Sequence, residues 1–332
     1  MSDNPSIPIL DVRGLTKRFP VGTILKSRQV HAVEEASFTV QRGQVVALVG
    51  ESGSGKTTTI RLIARLVPVT RGEIFFDGKD VLKTEPHQAS LDYRRRVQMI
   101  FQDPFASLNA VHTIEHHLAR PLVIHKKTGG PDELFERVCQ LLEKVELKPA
   151  AEIARRYPHQ LSGGQRQRVA IARALAVDPE LILADEPISM LDVSIRMGVL
   201  NLIEQLKEGM GISFVYITHD LASARYIGDQ IMVMYAGHMV EGGESEAIMG
   251  SPAHPYTQLL LSAVPDPHAG LRTNSEIGAR GEVPSLIDPP PGCPFAARCT
   301  RVMPECRRAM PAPVWVGENH WVKCYLVNGR EK

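Results

Sequence analysis

Gly50-Glu51-Ser52-Gly53-Ser54-Gly55-Lys56-Thr57, set directly behind the apolar run Val45-Val46-Ala47-Leu48-Val49, decides the fold of this chain. A short, continuously apolar run predicts a strand buried on both faces. The G-x4-G-K-T spacing after such a strand and before a helical pattern is a phosphate-binding loop. Its glycines let successive backbone N–H groups wrap an anion, while Lys56 reaches phosphate oxygens and the Thr57 hydroxyl suits Mg²⁺. The expected nucleotide-binding residues are Gly50, Ser52, Gly53, Ser54, Gly55, Lys56, Thr57 and Thr58.

A second anion cradle lies downstream. Leu161-Ser162-Gly163-Gly164-Gln165 opens the helical segment Arg166-Gln167-Arg168-Val169-Ala170-Ile171-Ala172-Arg173-Ala174, which Pro179 closes. Ser162 is the expected N-cap, and the unpaired N–H groups and positive dipole end of the first turn favour an anion. One nucleotide does not need two cradles on one chain, unless the second serves a nucleotide held by another copy.

Three polar residues or pairs follow apolar strands. Leu181-Ile182-Leu183-Ala184 ends in Asp185-Glu186, a pair suited to Mg²⁺ and to general-base activation of water. Gln102 follows Val97-Gln98-Met99-Ile100-Phe101, and His219 follows Phe214-Val215-Tyr216-Ile217-Thr218. Strand ends of this kind are where open α/β sheets bind ligands.

Composition bounds the rest. The 332 residues can form one large core or two domains, and 43% hydrophobic with 23% charged residues is ordinary for a globular protein. Thirty-eight Lys+Arg against 37 Asp+Glu gives a net charge of +1, which argues against nucleic acid as a partner. The runs Arg94-Arg95-Arg96 and Arg307-Arg308 read as solvated faces. No stretch approaches the ~18 uninterrupted apolar residues of a membrane span. The start, MSDNPSIPIL, lacks the basic region and apolar core of a secretory signal.

The first eighty residues read as β-rich, with an Asp77-Gly78 hairpin turn after Ile74-Phe75-Phe76. Leu134, Val138, Leu141, Leu142 and Val145 mark a helical insertion at about residues 103–160, within an expected domain spanning 1–250. Residues 251–332 are expected to form an irregular, Pro- and Cys-rich extension. Cys139 stands alone on a helical pattern and reads as core.

Phosphate loop, Gln102, LSGGQ, Asp185-Glu186, Ser189-Met190-Leu191-Asp192 and His219, in that order, resemble the ABC-type ATPases over about residues 9–250. The resemblance implies an α/β P-loop NTPase fold with a mixed sheet core, an antiparallel β subdomain and an inserted helical subdomain. It also implies two ATPase domains paired head to tail, each ATP lying between the phosphate loop of one and the LSGGQ of the other. Ser162, Gly163, Gly164 and Gln165 would then meet the partner's ATP, and Asp192 would cross the interface. Glu186, His219 and Gln102 would be catalytic, Mg²⁺ would be held through Thr57, Gln102 and Asp185, and Phe19 would stack on adenine. Met190 departs from the pattern, where a small residue is usual.

The tail narrows the resemblance. Ser251-Pro252-Ala253-His254-Pro255-Tyr256-Thr257-Gln258-Leu259-Leu260, Gly281-Glu282-Val283-Pro284-Ser285, Gly292-Cys293-Pro294-Phe295-x2-Arg298-Cys299-x6-Cys306 and His320-x3-Cys324 resemble the C-terminal extension of oligopeptide/dipeptide importer subunits. This implies a subunit peripheral on the cytoplasmic side of the membrane, paired with itself or a paralogue. It would sit beneath two transmembrane permeases fed by an extracellular solute-binding protein, and short peptides are the implied solute. An oligosaccharide or other small solute stays open, because Ala110-Val111-His112-Thr113-Ile114-Glu115-His116-His117 departs from the commonest peptide-importer wording. A soluble ABC ATPase acting on nucleic acid or ribosomes would call for a second ATPase domain or a basic face; a third reading is an iron–sulfur assembly or sensor protein that uses ATP for regulation. Four cysteines crowd the tail, where cytosolic disulfides are disfavoured and thiolates suit a [4Fe–4S] cluster or Zn²⁺. The wide gaps between Cys293, Cys299, Cys306 and Cys324 favour the cluster, with zinc as the alternative and buried free thiols as the plainer reading. His112 and His116 could share a helix face as ligands, but read more simply as exposed.

Overall fold

Apolar strands alternating with helices build a sheet that is parallel on one side and mostly antiparallel on the other. The computed structural model describes residues 7–23, 26–262 and 284–327, so Gly281-Glu282-Val283 of the tail resemblance lies outside the described residues. The strands are β1 (Leu10–Thr23), β2 (Lys26–Val40), β3 (Val45–Val49), β4 (Arg71–Phe76), β5 (Lys79–Asp80) and β6 (Val97–Ile100). They continue with β7 (Leu181–Asp185), β8 (Ser213–Thr218), β9 (Gln230–Tyr235), β10 (His238–Glu244), β11 (Val314–Gly317) and β12 (His320–Val322). Their order across the sheet is β5-β4-β1-β2-β10-β9-β3-β8-β7-β6. The stretch β9-β3-β8-β7-β6 is parallel, and β1, β2, β4 and β5 pair antiparallel. Asp77 and Gly78 both have positive φ, 52° and 73°, which makes the two-residue turn between β4 and β5.

The parallel strands are buried on both faces and divide their residues between two cores. Val45, Ala47, Val49, Ile182, Ala184, Phe214 and Tyr216 face one; Val46, Leu48, Leu181, Leu183, Val215 and Ile217 face the other. This is the period-two alternation of a strand expressed in a run with no polar residue. The second core takes Ile60, Leu62 and Ile63 of the helix Lys56–Ile63, together with Leu10, Val12 and Leu15 of β1. The first takes Val169, Ile171 and Ala172 of the helix Gly163–Leu175, and Ile114, Leu118, Val138 and Leu142 of the helices Ile114–Ile124 and Pro131–Lys144. The two anion cradles therefore head helices whose apolar sides bury on opposite sides of the parallel strands.

One expectation needs correcting. The tail is not irregular throughout: β11 and β12 form a hairpin, and β12 adds to the main sheet by pairing Val322, Trp321 and His320 with Glu241, Gly242 and Gly243 of β10. Val314-Trp315-Val316 and His320-Trp321-Val322 carry the β-branched and aromatic residues that suit a pleated surface. The surrounding prolines obscured that pattern.

Candidate nucleotide site

The phosphate loop leaves the C-terminal end of β3 and wraps back over it. Gly53 and Gly55 lie at φ 77° and 104°, and a Cβ on Gly50 would stand 2.1 Å from the Met234 carbonyl oxygen. Only glycine fits that approach. Lys56 is 4% exposed. Its Nζ donates to the Gly50 oxygen at 2.7 Å, the Glu51 oxygen at 2.9 Å and Ser54 Oγ at 3.3 Å. Burial lowers its pKa, against the opposing fields of Glu186, Asp185 and Glu51. The ammonium is thus folded into the loop, held by groups that phosphate oxygens can replace. Thr57 and Thr58 are half-buried in the first turn, with Ser52 exposed on the loop.

β7 delivers the two carboxylates to the same rim. Asp185 is 2% exposed and accepts from Thr57 Oγ1 at 2.8 Å. Burial raises its pKa, with the Thr57 bond and the charge of Arg61 opposing. A buried carboxylate beside a hydroxyl is an oxygen donor set suited to Mg²⁺. Glu186 follows at φ 44°, its N–H donating to the Ile217 oxygen at 3.1 Å. A single oxygen of Glu186, Oε2, accepts from Gln102 Nε2 at 3.1 Å and pairs with His219 Nδ1 at 3.2 Å. Three residues 84 and 33 positions apart thereby meet on one oxygen.

The second cradle is built separately. Ser162 Oγ accepts from the Gln165 N–H at 3.3 Å and Gln165 Oε1 accepts from the Ser162 N–H at 3.0 Å, a reciprocal cap on the helix Gly163–Leu175. Ser162 is exposed, and among the described residues no hydrogen bond joins it to the phosphate loop. A Cβ on Gly164 would lie 2.6 Å from Ile195 Cγ2, so this helix is pressed against the helix Val193–Met210. Asp192 precedes that second helix and is exposed, as are Met190 at 55% and Val193 at 77%. Phe19 sits half-buried on β1 opposite Val30, with Lys17 Nζ 4.7 Å from its ring centre.

The tail cysteines converge but are not arranged as ligands. Cys293, Cys299, Cys306 and Cys324 line one cavity of about 20 Å³ with His254 and Phe295. Among the described residues, no group of three or more His, Cys, Asp or Glu side chains is arranged to hold a metal ion. Burial pushes the Cys293 thiol up to about 12 and raises Cys299 and Cys324 as well. The expected cluster or zinc site is therefore not supported by this arrangement. His112 and His116 stack at 4.0 Å rather than converging on a shared ligand position, and Cys139 is packed against the core.

Sequence reading missed the contacts of Glu51. Its N–H donates to Tyr256 Oη at 2.8 Å and its carboxylate is gripped by Arg298. Arg298 was legible only as a residue of the tail motif, and no sequence signal ties it to a position 247 residues away.

Comparison with known proteins agrees with this geometry. The ABC transporter family profile matches residues 33–189, and that of the oligopeptide/dipeptide transporter C-terminal region matches residues 240–306. The chain is 44% identical to the dipeptide transport ATP-binding protein DppF of Haemophilus influenzae, over 97% of each chain. It is 42% identical to DppF of Escherichia coli, over 98% of this chain and 96% of that one. A solved dimeric ATP-binding cassette in a post-hydrolysis state, bound to ADP and Pi, superposes with a TM-score of 0.61 at 29% identity. That superposition covers 71% of this chain and 98% of the other.

Proposed function

Since this chain belongs to the ABC transporter ATPases, we propose that it hydrolyses ATP to power import of dipeptides or oligopeptides through separate permease subunits. The observation that carries the ATPase chemistry is the meeting of Gln102 and His219 on one oxygen of Glu186, at the rim of the phosphate loop. Full-length similarity to dipeptide transport ATP-binding proteins, tail included, supports peptide over oligosaccharide as the solute.

The residues act as follows. ATP phosphates take the place of the Gly50 and Glu51 carbonyls on Lys56, and the N–H groups of Gly53 to Thr58 surround them. Phe19 is assigned to the adenine. Glu186 draws a proton from the attacking water, Gln102 positions that water, and His219 holds both the γ-phosphate and the Glu186 carboxylate. Thr57, Asp185 and Gln102 would hold Mg²⁺, which supplies neutralising charge between the phosphates when bound. Ser162, Gly163, Gly164 and Gln165 present the exposed helix N-terminus to the ATP of a second subunit, and Asp192 lies on the same interface.

The partners we assign are a second ATPase subunit (itself or a paralogue), two transmembrane permeases and, indirectly, an extracellular solute-binding protein. The place of work is then the cytoplasmic face of the membrane. No described helix is long and apolar enough to cross a membrane, which fits a peripheral subunit. We read residues 1–250 as the ATPase unit, with its helical insertion at about 103–160, and 251–332 as the importer extension. A cluster on the four cysteines is a separate proposal that rests on their convergence on one cavity. Iron and sulfide in anaerobically purified protein would support it; protein free of iron would sink it. Peptide-stimulated ATP hydrolysis in vesicles carrying the chain with its neighbouring permeases tests the main reading. Stimulation by an oligosaccharide and not by peptides would overturn it.

A further inference from the structure

We propose that Arg298 is a positioning residue for ATP binding: it supplies the counter-charge that stops Glu51 of the phosphate loop from repelling the triphosphate. The inference deepens the proposed function and rests on Gly50–Thr57 holding ATP.

Glu51 is an electrostatic anomaly. It is the first residue after Gly50 in a loop whose task is to hold a polyanion, and like charges at short range disfavour binding. Its field reaches Lys56, whose ammonium it helps keep charged. Arg298 answers that charge with a two-pronged grip: Nη1 donates to Glu51 Oε2 at 2.7 Å and Nη2 to Oε1 at 3.1 Å. The geometry is the parallel fork that guanidinium offers a carboxylate and ammonium cannot. The Arg298 side chain is only 11% exposed against 28% for Glu51, so water screens the pair weakly.

The guanidinium is built in, not draped on. Nη1 also donates to Tyr235 Oη at 3.2 Å, and Nε is buried without a partner. Tyr235, Tyr256 and Phe295 are all but fully buried, and their rings lie 4.5 to 5.5 Å apart behind it. The turn that carries Arg298 is pinned by its own N–H to the Phe295 oxygen at 2.9 Å and by the Cys293 N–H to the Cys306 oxygen at 2.8 Å. With Tyr256 taking the Glu51 N–H, the backbone donor and the carboxylate of this loop residue are both held from beyond residue 250. The extension therefore reaches the nucleotide site directly.

The roles of counter-charge and simple brace separate by sign. If Arg298 neutralises Glu51, R298M leaves a bare carboxylate beside the phosphates and weakens ATP binding, while E51Q removes the repulsion and does not. A mere brace is broken equally by either change. The test is MgATP affinity of the full chain for parent, R298M, E51Q and the double variant, with thermal melting alongside and kcat and KM from phosphate release. R298M is expected to raise the ATP Kd about tenfold, or ~1.4 kcal/mol, mainly through KM and with kcat at saturation far less affected. E51Q should bind ATP at least as tightly as the parent, and the double variant should return to within about threefold of it. R298K, which keeps the charge without the fork, should fall between parent and R298M.

The inference is overturned if R298M binds ATP like the parent, if E51Q weakens binding as much as R298M, or if the double variant is no better than R298M. Should R298M melt too low to assay, R298K takes its place: it must bind ATP more weakly than the parent while E51Q does not, and the opposite order overturns the inference. A parent chain that binds no ATP would sink the reading of the loop itself, and this inference with it. A parent that binds while these contrasts fail sinks only the role of Arg298.

Discussion

Replacing Glu186 by Gln isolates the chemistry from the architecture. The amide keeps the size of the side chain and an oxygen able to accept from Gln102 Nε2, now 3.1 Å from Oε2. It loses the basicity. The side chain is 14% exposed, and His219 Nδ1, 3.2 Å away, can pair with the amide through either ring tautomer. Folding should therefore change by no more than ~0.5 kcal/mol. General-base assistance contributes about 10²–10⁴ in rate, so hydrolysis should fall by that factor, which corresponds to ~2.7–5.5 kcal/mol of transition-state stabilisation. Phosphate release at saturating MgATP reads the loss, and equilibrium nucleotide binding on the same preparation should remain near the parent value. E186Q turning over within about tenfold of the parent would refute Glu186 as the base and leave the convergence of Gln102 and His219 on it without a catalytic meaning.

Other perturbations probe the second cradle and the extension. G164A forces a methyl into Ile195 Cγ2, 2.6 Å from the Cβ position, and should cost ~1–3 kcal/mol in denaturant melts. Adding I195A should recover part of that loss, and no recovery would mean that the clash is not the cause. S162R should abolish hydrolysis while sparing nucleotide binding. Mixing S162R chains with K56A chains should restore turnover, because one site of the mixed pair then combines an intact phosphate loop with an intact LSGGQ; failure to complement would count against a site shared between chains. His254 gives a pH signature. Burial lowers its pKa to about 4, and Nδ1 accepts from the Tyr256 N–H at 3.0 Å, so the folded state requires the neutral ring. The unfolded chain takes up that proton below about 6.5, so stability is full above that value. It then declines toward pH 4 by up to ~1.4 kcal/mol per unit from this residue. Urea melts of H254N, whose amide oxygen can replace Nδ1, should show a shallower decline; an identical pH dependence would remove His254 as the source.

What could be read from the sequence was whatever is local along the chain. The phosphate loop is eight consecutive residues, the Ser162–Gln165 cap spans four, and the Asp77-Gly78 turn is a dipeptide. Gln102, Glu186 and His219 are far apart, yet each sits at the end of an apolar strand, and parallel strands bring their ends to one rim. Contacts made by side chains across layers had no such signal. Glu241 shows the limit. It falls in β10, is fully buried, and accepts from the Ala253 N–H at 2.7 Å and the His254 N–H at 3.0 Å. His320 Nε2 pairs with its Oε1 at 2.7 Å. A buried carboxylate is tolerated only when its lone pairs are met, and every hydrogen bond recorded for this one comes from beyond residue 250. The acid in β10 and the donors in the tail make sense only together, as do Glu51 and Arg298. A proline-rich segment that reads as an appendage along the chain is thus, in space, the source of the charges and donors that complete two acidic positions of the ATPase core.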